Sequence, residues 1–205
     1  LIHGPYLDIK IFMIKPLLHI LSISLMWLSA NSLADSGSKT QPIDRRIAIT
    51  IDDLPWAATN DGGWQANTSD DSLRIARHHK QLMAAMKKAK APVVGFVNEG
   101  KLYANGDLQP KRVAMLEDWL KAGFDLGNHT FGHLSLHDVS LADYQRDILK
   151  GENLLRPMLA RRGKTPQWFR HPYLRTGRTI EDKAAVQNIL ISHGYRIAPV
   201  TVDNS

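Results

Sequence analysis

The residues most able to do chemistry in this sequence fall into three short clusters. Asp52 and Asp53 are adjacent, His129 and His133 stand four apart in "GNHTFGH" (127–133), and Arg170 and Tyr173 share "RHPY" (170–173). A divalent cation such as zinc accepts imidazole nitrogens and carboxylate oxygens, and a catalytic site leaves one position open for water. The two histidines with one of the aspartates would supply three protein ligands. The other aspartate could serve as general base on a water whose pKa the cation lowers. The chain contains no cysteine, so disulfides, thiolate nucleophiles and thiolate metal ligands are all excluded. Taken singly, each cluster is weak. An Asp-Asp pair after a strand is commonly a solvated turn or a helix cap, and an isolated His-x-x-x-His lies more often on a surface than on a metal.

Their weight comes from the elements that must carry them. "RIAITI" (46–51) is a short isoleucine-rich run of the kind that forms a buried strand. A loop rich in Gly, Asn and Asp follows. "DSLRIARHHKQLMAAMKKAK" then reads as a helix with acidic residues at its start and Ile75, His79, Leu82, Met86 and Ala89 on one face. "VVGFVN" (93–98) is a second strand. "PKRVAMLEDWLKAG" is a helix opened by Pro110 and closed by Gly123, and "FDLGNH" is a third strand. Ser140 and Asp143 resemble a capping box opening a helix that runs toward Arg162. "QWFRH" is a fourth strand, "TIEDKAAVQNILISHG" a fourth helix and "YRIAPVTVD" a fifth strand. Sustained strand–helix alternation predicts parallel strands with helical crossovers, in an open doubly wound sheet or a closed barrel. In both, chemistry gathers at the C-terminal ends of strands. Asp52 and Asp53 follow strand one, His129 and His133 strand three, Arg170 and Tyr173 strand four, and Asp203 strand five. All are predicted to converge on one rim. The remaining histidines are assigned simpler roles. His78, His79 and His193 fall in helices, His137 is read as surface, and His171 matters through the extended backbone that precedes Pro172.

The N-terminus bears on location. From Met13, a short basic segment, an apolar stretch Leu17 to Leu28 and a small-x-small pattern at Ser32-Leu33-Ala34 make 13–34 resemble a secretory signal peptide. The apolar stretch is shorter than the about 20 residues of a membrane span. No stable span is expected after cleavage, and the expected location is secreted or periplasmic. Residues 1–12 read as sequence upstream of the true start or an expression remnant, 35–44 as a polar linker, and 45–205 as one domain. The net charge of +6 arises from scattered basic pairs, and no zinc finger or aromatic RNA-binding signature accompanies it, so nucleic acid is not an expected partner. Oligomeric state is not readable from the sequence.

Together "TIDDLP" (50–55), "HTFGH" (129–133) and "RHPY" (170–173) resemble the first three motifs of the polysaccharide deacetylases, the NodB-homology domain of carbohydrate esterase family four. The resemblance spans roughly residues 45 to 205. It implies an α/β fold of the deformed (β/α) barrel type and metal-dependent removal of N- or O-acetyl groups from an acetylated polysaccharide. It implies that Asp52 is the general base and that Asp53, His129 and His133 hold the metal, usually zinc. Arg170 would orient Asp52, and the Tyr173 backbone N–H would serve the oxyanion. Trp56 and Trp64, in the first strand-to-helix loop, could stack on sugar rings, or could pack that loop onto the barrel. Ile51 and Leu174 depart tolerably from common family residues. "VTVDNS" opens like the fourth motif, with Asp203, and the fifth motif with its general-acid histidine does not follow. The expectation is an incomplete barrel and a chain of weak or absent activity. Two rivals carry less of the sequence. A metallophosphoesterase would need Asp-x-His and Gly-Asp-x-x-Asp patterns in the right context. A catalytically defective, secreted carbohydrate- or metal-binding relic would not require Asp52.

Overall fold

The computed structural model describes residues 47–57 and 69–202. The expected signal peptide and linker, Trp64 and Asp203 lie outside the described residues. Parallel pairing and helical crossover set the architecture. Strand β1 (Ile49–Leu54) leads through α1 (Ser69–Ala89) to β2 (Val93–Val97). A 3-10 turn at Glu99–Leu102 and a hairpin of β3 (Tyr103–Ala104) and β4 (Asp107–Leu108) precede α2 (Pro110–Lys121). Then come β5 (Asp125–Asn128), α3 (Leu141–Lys150), α4 (Leu155–Ala160) and β6 (Trp168–Phe169). A second 3-10 turn at Pro172–Leu174, α5 (Ile180–Ser192) and β7 (Arg196–Ile197) complete the order. The five longer-range strands form one sheet in the order β1-β2-β5-β6-β7, every neighbouring pair parallel. This is the (β/α) barrel-type alternation expected. β1 and β7 are the outer strands, and the sheet does not close on itself among the described residues.

The helices pack because their apolar residues recur at helical spacing. Met83 and Met86 of α1, Leu116, Trp119 and Leu120 of α2, and Leu155, Met158 and Leu159 of α4 meet Leu54, Val93, Val97 and Leu126 of the sheet in one core. A second core joins Tyr144 and Ile148 of α3 and Val186 and Leu190 of α5 to Leu136, Phe169 and Tyr195. On α1 the predicted face is off at two positions. Met83 is buried and Ala89 is exposed, because the helix ends against solvent and only its middle turns reach the sheet.

Two local predictions need revision. The helix opened by Ser140 is not continuous to Arg162. Its cap is as expected, with the Asp143 N–H donating to Ser140 Oγ at 3.1 Å, but the chain breaks between Lys150 and Leu155. The cause is close approach. A Cβ on Gly151 would sit 2.8 Å from the Thr130 carbonyl carbon and 2.9 Å from Asn128 Oδ1. Beyond the break, the buried Glu99 carboxylate accepts the N–H groups of Leu154 and Leu155 at 3.0–3.1 Å and so satisfies the first donors of α4. The second revision is the β3–β4 hairpin, which the sequence reading did not anticipate. Its loop residues, Asn105 (φ 52) and Gly106 (φ 87), both take left-handed backbone, the requirement of a tight two-residue hairpin that Asn-Gly meets best.

Candidate metal centre

Each sequence-predicted site residue of β1 reaches the rim because the strand is irregular. β1 pairs in register with β2 through Ile51, then shifts before Leu54. Asp53 takes a left-handed φ of 66. In a regular strand, neighbouring side chains face opposite sides. The bulge removes that constraint, and Asp52 and Asp53 both line one cavity of about 710 Å³ with His129, His133, Arg170, Tyr173 and Leu174.

β5 and the turn after it present the histidines. His129 is buried, and its backbone N–H donates to Val97 O at 3.0 Å. Its Nδ1 lies 2.8 Å from the Arg170 carbonyl. A carbonyl only accepts, so Nδ1 carries the proton and Nε2 keeps its lone pair. His133 sits at a left-handed φ of 55, with its N–H on Thr130 Oγ1 at 3.0 Å. The two imidazoles meet edge to face at 4.9 Å. Burial pushes His129 down to about 4, against the opposing pull of its bond to the Arg170 carbonyl. Burial also lowers His133, with the Asp53 carboxylate working the other way. Both rings are therefore neutral near neutral pH, the state in which imidazole binds a cation. Ligand atoms of Asp53, His129 and His133 all lie within 4.8 Å of one another. Two neutral imidazoles and one carboxylate suit a divalent cation, and the three residues together form a candidate divalent-metal site.

β6 delivers the other half. Arg170 is buried, with its guanidinium 4.7 Å over the Phe96 ring. It donates from Nη1 to Asp52 Oδ2 at 3.4 Å and from Nη2 to Thr50 Oγ1 at 3.2 Å. Tyr173, at φ 56 in the 3-10 turn, is exposed and sets its ring 4.5 Å from His133. His171 is extended (φ −70, ψ 129), as the following proline requires. Its ring is also buried, with Nδ1 in hydrogen-bond contact with Tyr144 Oη at 3.0 Å. Trp56 is not brought to the cavity. Its ring lies 4.8 Å beneath the Arg112 guanidinium, which matches the loop-packing alternative.

Three supporting residues escaped the sequence reading. The Asp147 carboxylate of α3 accepts the Gly132 N–H at 2.9 and 3.0 Å, just before His133. Asn98 Nδ2 donates to the His129 carbonyl at 2.5 Å. Lys101 Nζ donates to Asp53 Oδ1 at 3.0 Å. A signal was present for two of them. "NEGK" (98–101) is a polar run directly after a buried strand, the position that drew attention to the other clusters. Asp147, mid-helix, carried none.

Comparison with known proteins bears on the family and the fold. The family model described as polysaccharide deacetylase matches residues 39–197. Among solved structures, a mutant of BA3943 of Bacillus anthracis, a CE4 family pseudoenzyme with restored enzymatic activity, aligns at 16% identity and TM-score 0.50. That alignment covers 75% of this chain and 44% of the other. The peptidoglycan deacetylase PdaC from Bacillus subtilis aligns at 18% identity and TM-score 0.50, over 76% of this chain and 59% of that one. These two likenesses concern the fold alone, and this chain spans less than two thirds of either protein. No curated protein matches. No helix among the described residues is long and apolar enough to cross a membrane. The family match extends across most of the sequence and takes in both aspartates, both histidines and the Arg-His-Pro-Tyr turn that the fold gathers on one rim; this chain belongs to the polysaccharide deacetylase family.

Proposed function

We propose that this chain belongs to a metal-dependent hydrolase that removes N- or O-acetyl groups from a polysaccharide. The observation that carries the reading is the shared cavity. The Asp53–His129–His133 donor set opens onto the same space as Asp52, whose carboxylate Arg170 holds at 3.4 Å. A divalent cation held by Asp53, His129 and His133, zinc by the chemistry of these donors, would supply Lewis acidity toward an acyl oxygen and lower the pKa of water. Asp52 is the general base that takes the proton from the attacking water. Arg170 orients that carboxylate from two points, Asp52 and Thr50. The Tyr173 backbone N–H stabilises negative charge developing on the acyl oxygen. Trp64 offers a stacking surface for a sugar ring. Residues 13–34 act as a signal peptide, placing the protein outside the cytoplasm.

The test is acetate release from N-acetylglucosamine oligomers and from acetylated xylan by the full-length protein. Activity should vanish with a chelator, return with added zinc, and be lost in Asp52→Asn with cation binding retained. Hydrolysis undiminished after chelation, or in Asp52→Asn, would sink the reading.

A further inference from the structure

Lys101 is only 2% exposed, although it carries a charge. Its Nζ donates to three acceptors, Asp53 Oδ1 at 3.0 Å, Asp53 O at 3.2 Å and Trp56 O at 3.0 Å. An ammonium has three protons, and burying it is tolerable only when they are satisfied and an opposite charge is close. These three acceptors among the described residues belong to one stretch, Asp53 to Trp56. The ammonium therefore gathers the end of β1 around itself, where Asp53 turns into left-handed backbone.

Lys101 is itself firmly placed. Arg112 Nη1 donates to the Lys101 carbonyl at 3.1 Å. The turn that carries it is bonded to the histidine loop through Glu99 N–H to Thr130 O at 3.3 Å and Gly100 N–H to Phe131 O at 3.0 Å. Asn98, at the start of the same turn, holds the His129 carbonyl. One short segment, 98–101, thus grips both loops that bring ligand atoms together.

We propose that Lys101 is a positioning residue of the metal centre, fixing the Asp53 carboxylate relative to His129 and His133 through a salt bridge. The inference rests on the metal reading above and goes beyond it by naming what orients the carboxylate ligand. Asp53 Oδ1, the oxygen that takes the Lys101 ammonium at 3.0 Å, also lies 3.6 Å from His133 Nε2, so the ammonium fixes the oxygen that faces the histidine. Outer partners of this kind typically change cation affinity by about tenfold to a hundredfold when removed.

The experiment is Co²⁺ titration of the full-length protein, read by visible absorption, which reports coordination geometry, alongside urea unfolding of the metal-free form. The variants are Lys101→Met and Lys101→Gln, the second keeping a donor for the backbone carbonyls, with Asp53→Asn as the ligand control. The expected result is Co²⁺ affinity weakened by about tenfold or more in both lysine variants, with an altered spectrum, under conditions where unfolding shows the protein to be folded. Parent affinity and spectrum in a folded Lys101→Met or Lys101→Gln, with binding lost in Asp53→Asn, would overturn the positioning role and leave the metal reading intact. Absence of Co²⁺ binding in the parent would overturn both.

Discussion

Asp147 and Gly132 are joined by a two-pronged contact. Both carboxylate oxygens of Asp147 face the Gly132 N–H, at 2.9 and 3.0 Å, and Oδ2 reaches the Leu134 N–H at 3.5 Å. Asp147 also offers its backbone carbonyl to the Phe131 N–H at 3.0 Å. Helix α3 therefore holds the histidine loop from Phe131 to Leu134. Replacing Asp147 with Ala removes a buried charged acceptor and leaves N–H groups without it. The expected loss is about 3 kcal/mol by urea unfolding, together with weaker cation binding because His133 is no longer fixed. Unchanged stability in Asp147→Ala would show that water substitutes for the carboxylate.

Two buried groups should tilt stability in opposite directions with pH. Burial pushes His171 down to about 4, so the native state resists a proton that the unfolded chain, near 6.5, accepts. Its stabilisation is complete above pH 6.5 and is lost as pH falls from there to 4. Burial raises Glu99 to about 7, against the lowering effect of the Leu154 and Leu155 N–H bonds. The native state then holds a proton that the unfolded chain releases near 4.5, so stability is lost as pH rises from 4.5 to 7. Each contribution amounts to about 3 kcal/mol across its window. Between pH 4.5 and 6.5 the two oppose one another. His171→Asn, which keeps a hydrogen-bonding group near Tyr144 Oη, should make stability fall more steeply as pH rises. Glu99→Gln should make it rise. Urea midpoints at a series of pH values check both, and parallel profiles for parent and variants would contradict the assignment.

Gly151 is where α3 ends and the loop after β5 comes closest. Ala at this position places a carbon 2.8–3.0 Å from Thr130, Asn128 and Phe131 atoms, most of them backbone. The expected cost is about 2 kcal/mol, seen as a lowered Tm, with a displaced His129–His133 pair in the crystal structure of the variant. A Tm equal to that of the parent would mean the two segments separate freely.

Arg170 bridges Asp52 and Thr50 from two nitrogens. Lysine has one nitrogen and cannot span both. Arg170→Lys should lower kcat for acetyl release by about a hundredfold, the lower end of the range for general-base catalysis, with Co²⁺ affinity near that of the parent. Equal kcat would remove Arg170 from the proposed role.

Legibility followed physical signal. The parallel strands stood out because runs such as "VVGFV" are apolar on both faces, and the rim was readable because polar residues directly after such runs have few other reasons to be there. The convergence of Asp52 and Asp53 on one rim was readable from their place after a strand, whereas its means, a bulge with left-handed Asp53, was not. The break after Lys150 was not legible, because it depends on the contact of Gly151 with Thr130, twenty-one residues away. Asp147 was hidden for a similar reason. An acidic residue in an amphipathic helix looks solvated until the loop it holds is in place. The hairpin at Asn105–Gly106 has its signal in that dipeptide, a strong mark of a tight two-residue turn.

The kink that turns Asp53 out of the β1 ladder has an evolutionary corollary. Straightening the segment from Ile51 to Leu54, with Asp52 and Asp53 both kept, would send one of the two acids through to the far side of the sheet. Composition and stability could survive such an event almost unchanged. Among descendants of a common ancestor, the backbone path of this segment would then separate working from silent copies even where both acids are kept.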